Sequence, residues 1–358
     1  MKDTTNELFL SVHMLKENNY FEDLQSSIKY GIFGLFYLLL KNQDINLWVE
    51  VICIIAQLLE LVAFPFHLKF VNIWKKDNSY IQISNIIQYF QIFPFFKDNQ
   101  EMYLIAFYVC VILVVLTITD IIYIAFAFAN NKLSMMWPLQ FLRGVISFQV
   151  RAFFLPILAM FLSIFICSNS QNEVVSEIKC WSGAFYVHAV FGILMSILFI
   201  LMTFLVQCTY FETKFGTHNP IAKSTSQADC FLVLVKIILV IIFTFLNKTG
   251  DNQWIIIAFL IFLSGYLVYS YYEHQPYYNH ITMKMYNCLT LIFLWSNLVL
   301  LISKILEKSK FDGGLGLFFL GLPVIIAVIF TGKDQILAGL VINLIKMSKG
   351  EKALNQIQ

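Results

Sequence analysis

Apolar residues along this chain fall in long, nearly unbroken runs, not in the two-residue alternation of half-buried strands or the single apolar stripe of surface helices. Eight runs reach or approach the ~20 residues that a helix needs to cross a hydrocarbon core. They are 46–67, 103–129, 145–168, 182–209, 229–247, 254–272, 286–305 and 315–331. Alternating ten-residue segments of a membrane barrel do not occur, and an unpaired amide in lipid costs several kcal/mol, so the runs read as helices. The expected fold is all-α: a polytopic transmembrane helix bundle of eight spans. Two further segments read as interfacial helices. Segment 30–40 is short, and 80–96 mixes Gln82, Ser84, Asn85, Gln88 and Gln91 among its aromatics. If 30–40 recruits its flanks it becomes a ninth crossing. The chain then divides into a cytoplasmic lead at 1–45, a transmembrane bundle at 46–331 and a juxtamembrane cytoplasmic tail at 332–358.

Composition sharpens this picture. Of 358 residues, 59% are hydrophobic and 13% charged, with a mean hydropathy of +0.73, against about 25% charged in ordinary soluble domains. A soluble globular enzyme is excluded, and the lipid bilayer is the expected partner. A net charge of +2 leaves no basic footprint for a phosphate backbone, so nucleic acid is not expected as a partner. The first 28 residues are too charged for a cleavable signal peptide, and the first span is expected to act as an uncleaved anchor.

Lys and Arg set the orientation. With the N-terminus in the cytoplasm, a modest excess of basic residues falls inside. Cys167 and Cys180 bracket a short polar loop between the third and fourth spans, and two cysteines at one membrane level so close in sequence can form a disulfide in an oxidising compartment. That loop is therefore placed outside, together with the sequon Asn247-Lys248-Thr249. Cys53, Cys110, Cys208, Cys230 and Cys288 sit singly in or beside apolar runs and read as small hydrophobes. No CxxC pattern, phosphate loop or nucleophile–base spacing is present, so no metal, no cofactor and no enzymatic activity is expected. His274 and His280, flanking a Tyr-rich stretch, are too weak a pattern to suggest a metal. Tyr266, Tyr269, Tyr271, Tyr272, Tyr277 and Tyr278 read as an aromatic belt at headgroup level, and Trp48, Trp137, Trp181 and Trp254 mark other span ends.

Polar groups inside spans cost roughly 2.5–3.5 kcal/mol each when ionised and mark functional or packing sites. The candidates are Gln57, Glu60, Asp120, Arg151, His188, Lys236 and Asn297. Acids and bases occur in equal measure, which favours interhelical pairs that fix packing. Arg151 and Lys236, with long stems near the cytoplasmic interface, are expected to snorkel to headgroups. The alternative is an ion or proton path using Glu60, Asp120 and His188, but no filter sequence, inverted repeat or matched pair of broken helices supports it.

The order Cys167 … Cys180-Trp181-Ser-Gly, His188, a long span, Phe211-Glu212, Pro220-Ile-Ala-Lys223 and the Lys236-bearing span resembles the TmcB-like (tiny macrocysts protein B-like) proteins of ciliates and amoebae. Gln57 and the Trp137-Pro138 … Arg143 segment fit as well, and the likeness runs over about 45–358. It implies a membrane module placed ahead of cytoplasmic regions that commonly carry PAS sensor domains, hence a sensory or signalling role. This sequence departs from that pattern after the last span, where 335–358 reads as a basic juxtamembrane helix with no PAS-like stretch behind it. Cytoplasmic signalling partners are then expected at the 273–285 loop and the basic face of 335–358. The leading reading is a non-enzymatic sensory or scaffold membrane module, and the runner-up is an ion channel or transporter.

Overall fold

The computed structural model describes residues 30–31, 33–35, 47–67, 70–74, 86, 100–130, 137–168, 171–172, 180–209, 220–245, 253–306 and 314–330. Among them run α1 (Leu47–Val62), α2 (Val71–Trp74), α3 (Gln100–Ala129), α4 (Trp137–Ile146), a π-helical segment (Ser147–Ala152) and α5 (Phe154–Ser163). A two-residue ladder of β1 (Cys167–Ser168) and β2 (Gln171–Asn172) follows, then α6 (Gly183–Thr209), α7 (Gln227–Phe245), α8 (Gln253–His274), α9 (His280–Ile305) and α10 (Gly314–Phe330). The expected helical class is what the structure has. The interfacial helix expected at 80–96 and the tail at 332–358 lie outside the described residues, apart from Ile86, and 30–40 is described only in part.

Five described helices are long and apolar enough to cross a membrane: most of α3 and α6, and the whole of α7, α8 and α9. A sixth arises if the pair formed by 137–152 and α5, bent by 69°, counts as one span. The eight expected crossings exceed this number at three places, each with a local cause. Helix α1 stops after Val62, short of Pro65, whose predecessor is disfavoured in the helical region. The third run breaks at Phe153 (φ −118°, ψ 13°). A continuous helix would press the Pro156 ring against the carbonyl of Ala152, four residues back. Instead the Phe153 N–H reaches back five residues to the Phe148 carbonyl, 2.9 Å away, and Pro156 sits in the first turn of α5, where its missing N–H costs little. The last run, α10, has 17 residues, about 26 Å at 1.5 Å per residue.

Two compact units divide the chain: 1–43 with 115–144, and 44–114 with 145–358. In the first, the Tyr30 and Phe128 rings lie 5.4 Å apart, and a Cβ on Gly31 would stand 2.7 Å from the Ala125 carbonyl oxygen. Only a glycine lets the backbone at position 31 approach α3 so closely.

In the second unit, α9 packs against α8, α10 and α1, while α7 packs against α8 and α5, and α6 against α5. Gly192 of α6 faces the Phe161 carbonyl of α5 across a gap that a Cβ would narrow to 2.8 Å. The core is aromatic: Phe199 lies 5.3 Å from Phe154 and 6.4 Å from Phe161, and the buried Tyr103 hydroxyl bonds Ser163 at 2.5 Å and donates to the Met160 carbonyl at 3.0 Å. Outward faces of α6 and α8 carry Val187, Val190, Leu201, Ile255 and Phe262 exposed. So large an apolar exterior needs a covering phase other than water, which lipid supplies. Trp48, Trp137, Trp181 and Trp254 stand exposed at helix ends. Cys167 and Cys180 are joined in a disulfide with Cα atoms 6.2 Å apart, and the adjoining ladder is anchored by Asn172, which donates to the Ile164 carbonyl at 2.6 Å.

Candidate functional site: a buried charge core

One face of α1 carries Glu50, Cys53, Gln57 and Glu60, at spacings of three and four residues that stack side chains on one side of a helix. This face meets the π-helical segment and α9. Gln149, Val150 and Arg151 of the π turn are all buried, and the turn sets the register at which Arg151 enters the bundle.

There the Arg151 guanidinium pairs with Glu50, while Lys236 of α7 sends its Nζ to Glu60 Oε2 at 2.9 Å. Exposure is 2% for Glu50, 1% for Glu60, 8% for Arg151 and 2% for Lys236. The snorkelling expected of Arg151 and Lys236 is thus corrected: both point inward, since a carboxylate stands within reach of each stem and the break at Phe153 supplies further polar groups. The Lys236 ammonium also donates to the freed Arg151 carbonyl at 3.3 Å, and the Leu155 N–H in the first turn of α5 faces the Glu60 carboxylate. The pairing of Glu60 with Lys236 is of the interhelical kind expected. Glu50 was not singled out by the sequence, although its place seven residues before Gln57 on the same face was a usable signal.

Each acid spends one oxygen in its ion pair, and the other, Glu50 Oε1 or Glu60 Oε1, is buried without a hydrogen-bond partner, as is Gln57 Nε2. Asn297, fully buried on α9, donates to the Leu260 carbonyl of α8 at 3.4 Å and leaves its Oδ1 unpartnered. His188 engages Tyr108, with Nδ1 and the phenol oxygen 2.7 Å apart and both side chains half-buried. Of the supposed relay, Glu60 and His188 therefore bond different partners, Lys236 and Tyr108. Asp120 belongs to the other unit and is half-buried, with Oδ2 unpartnered.

A second charged cluster escaped the sequence reading. At the start of α7, Asp229 takes Lys223 Nζ on Oδ2 at 2.5 Å. Tyr271 donates to Oδ1 at 2.7 Å, and Tyr277 stands within 2.9 Å of both oxygens. Lys223, Asp229, Tyr271 and Tyr277 are all buried, so Tyr271 and Tyr277 do not belong to the expected aromatic belt. A buried carboxylate needs partners, and these two phenols provide them. The Tyr286 ring lies between theirs, 5.3 Å from Tyr271 and 4.7 Å from Tyr277, nearly parallel to both.

Backbone bonds close the clasp. Ser224 N–H donates to the Pro276 carbonyl at 2.8 Å and Tyr278 N–H to the Ala222 carbonyl at 3.0 Å. Asn279 caps α9 by accepting from the Ile281 and Thr282 N–H groups. The centre of the 273–285 loop is thereby engaged inside the protein, leaving Glu273, Gln275 and His280 exposed. Burial first, then the Asp229 carboxylate, push the Tyr277 phenol well above its ordinary range. Arg151 is an electrostatic neighbour of Asp229, Tyr277 and Tyr286. Among the described residues no group of three or more His, Cys, Asp or Glu is placed to hold a metal ion.

Over 248 residues the chain is 24% identical to Tiny macrocysts protein B of Dictyostelium discoideum, an alignment covering 66% of this chain and 17% of that protein. It is 25% identical over 255 residues to Tiny macrocysts protein C of the same organism, covering 69% of this chain and 18% of the relative. The chain thus spans less than a fifth of the length of these curated relatives. No family model and no solved structure matches it. By these alignments the chain is similar to the Tiny macrocysts proteins B and C over about two thirds of its length.

Proposed function

We propose that this chain is a non-enzymatic, multi-pass membrane module serving a sensory, signalling or scaffold role. In this reading α1, the bent pair and α10 complete an eight-span bundle, with 30–40 as an optional ninth crossing. The N-terminus faces the cytoplasm in a plasma membrane or endomembrane, and the exposed residues of the 273–285 loop together with 335–358 meet cytoplasmic partners. The observation that carries it is the pairing of Glu50 with Arg151 and of Glu60 with Lys236. Each intramembrane acid there ends on a base from another segment, as expected of charges that fix helix register. The signalling part rests on the resemblance to TmcB-like proteins.

A second reading, an ion channel or transporter, draws support from the break at Phe153. A discontinuous helix with free backbone groups beside paired charges is how many transporters build a binding site, and Glu50 Oε1, Glu60 Oε1 and Gln57 Nε2 supply unspent polar atoms. Ion flux through liposomes holding the wild type, Glu60→Gln or Asp120→Asn separates the two. The module reading expects no wild-type flux and reduced stability in Glu60→Gln. Wild-type flux that disappears in a folded Glu60→Gln protein overturns it in favour of transport.

A further inference from the structure

Two of the five cysteines expected to behave as isolated hydrophobes are not isolated. Cys208, in the last turn of α6, and Cys230, in the first turn of α7, hold their sulfurs 3.0 Å apart while remaining thiols. Two non-bonded sulfurs seldom come so close, and a bond of about 2.05 Å requires only about 1 Å of further approach. Cys208 is exposed and Cys230 half-buried, so one thiol is open to a dissolved reagent and the other is shielded behind it. That is the arrangement of a reacting and a resolving cysteine.

Position adds the second argument. Helix α6 begins three residues after the Cys167–Cys180 disulfide and ends one residue after Cys208. At 1.5 Å per residue its 27 residues span about 40 Å, more than the ~30 Å hydrocarbon core. The two cysteine pairs therefore sit on opposite faces of the membrane. A disulfide persists on an oxidising face, and the other face of such a membrane is kept reducing. The closed pair and the open pair match this asymmetry.

The geometry points to Cys208 and Cys230 as a redox-reversible dithiol, a modification site that hydrogen peroxide closes on the face opposite Cys167–Cys180. The Cys208 thiolate attacks one peroxide oxygen. An S–O bond forms, the O–O bond breaks, and the departing hydroxide leaves as water with the proton, giving Cys208 sulfenic acid. The Cys230 sulfur then attacks the Cys208 sulfur, the S–S bond forms as the S–O bond breaks, and a second water leaves with the Cys230 proton. Two thiols lose two electrons and two protons, and one peroxide becomes two waters. Closure ties the end of α6 to the first turn of α7, next to Asp229 and its clasp with Lys223, Tyr271 and Tyr277.

The test uses the full chain in its membranes, acid-quenched before and after exposure to hydrogen peroxide, alkylated with N-ethylmaleimide and digested without reductant. Mass spectrometry is expected to find both thiols alkylated before treatment. Afterwards both should lose the label together and appear as one Cys208–Cys230 linked peptide, which dithiothreitol reverses. In Cys230→Ser, which leaves Cys208 without its resolving partner, dimedone is expected to trap Cys208 sulfenic acid, while the wild type yields little or none. The proposal is overturned if the link is already complete in untreated cells. It is equally overturned if Cys208 instead joins a second copy or is over-oxidised with Cys230 still free, or if dimedone labels wild type and Cys230→Ser equally.

Discussion

Replacing Lys236 by Met keeps the volume of the stem and removes the one ammonium that neutralises Glu60. With Nζ and Oε2 2.9 Å apart, the Coulomb attraction at an effective dielectric of 20 is about 6 kcal/mol. Desolvation of both ions in the wild type offsets much of it. The variant loses the attraction, keeps a carboxylate that is 1% exposed and frees the Arg151 carbonyl that Nζ also holds. Breaking a buried pair in this way costs about 3–5 kcal/mol. The double variant Lys236→Met, Glu60→Leu removes both charges and leaves apolar groups of similar size, so most of that loss should return. Reversible unfolding by denaturing detergent, followed by circular dichroism in mixed micelles, measures all four corners of the cycle. A single variant within about 1 kcal/mol of wild type, or a double variant as unstable as the sum of its parts, refutes the view that this pair holds α1, α7 and the bent segment in register.

Further outcomes test other parts of the structure. Tyr277→Phe removes hydrogen bonds to a buried carboxylate and should cost about 1.5–3 kcal/mol, read as faster proteolysis within 275–279. Because its folded pKa is raised, the Tyr277 contribution is present below the unfolded value of about 10 and is lost as pH climbs beyond it; wild type minus Tyr277→Phe should stay constant from pH 6 to 9. Gly192→Ala places a Cβ 2.8 Å from the Phe161 carbonyl and should cost about 1–3 kcal/mol. Gly265→Ala on α8, with open space around it, should be neutral or stabilising by up to about 1 kcal/mol. Cys167→Ser opens a loop of 13 residues and should cost about 3 kcal/mol, a loss that dithiothreitol reproduces in the wild type but not in the variant.

Much of this was legible in the residues. Unbroken apolar runs declared the helices, because lipid admits only helices and closed barrels and the alternation of barrel strands is missing. The disulfide was readable because Cys167 and Cys180 flank a short loop, so contact follows from chain proximity. Glu60 and Lys236 stood out as charges deep in apolar runs. Glu50 hid near a span end, where an acid passes for an interfacial residue. Asp229 was missed for the same reason, and its phenolic partners lie 42 and 48 residues away, a separation over which no local periodicity carries information. Arg151 was misjudged because a long basic stem near a span end fits the interface equally well, and only the fold brings the Glu50 carboxylate within its reach.

The Tyr286 ring, lying nearly flush between Tyr271 of α8 and Tyr277 of the following loop, gives the molecule a built-in optical gauge. Three parallel, stacked chromophores at such spacing couple their transitions, so the contribution of this stack to the near-ultraviolet dichroism changes when the loop leaves its seat. Docking and release of that corner can then be timed in a spectrometer without attaching any dye.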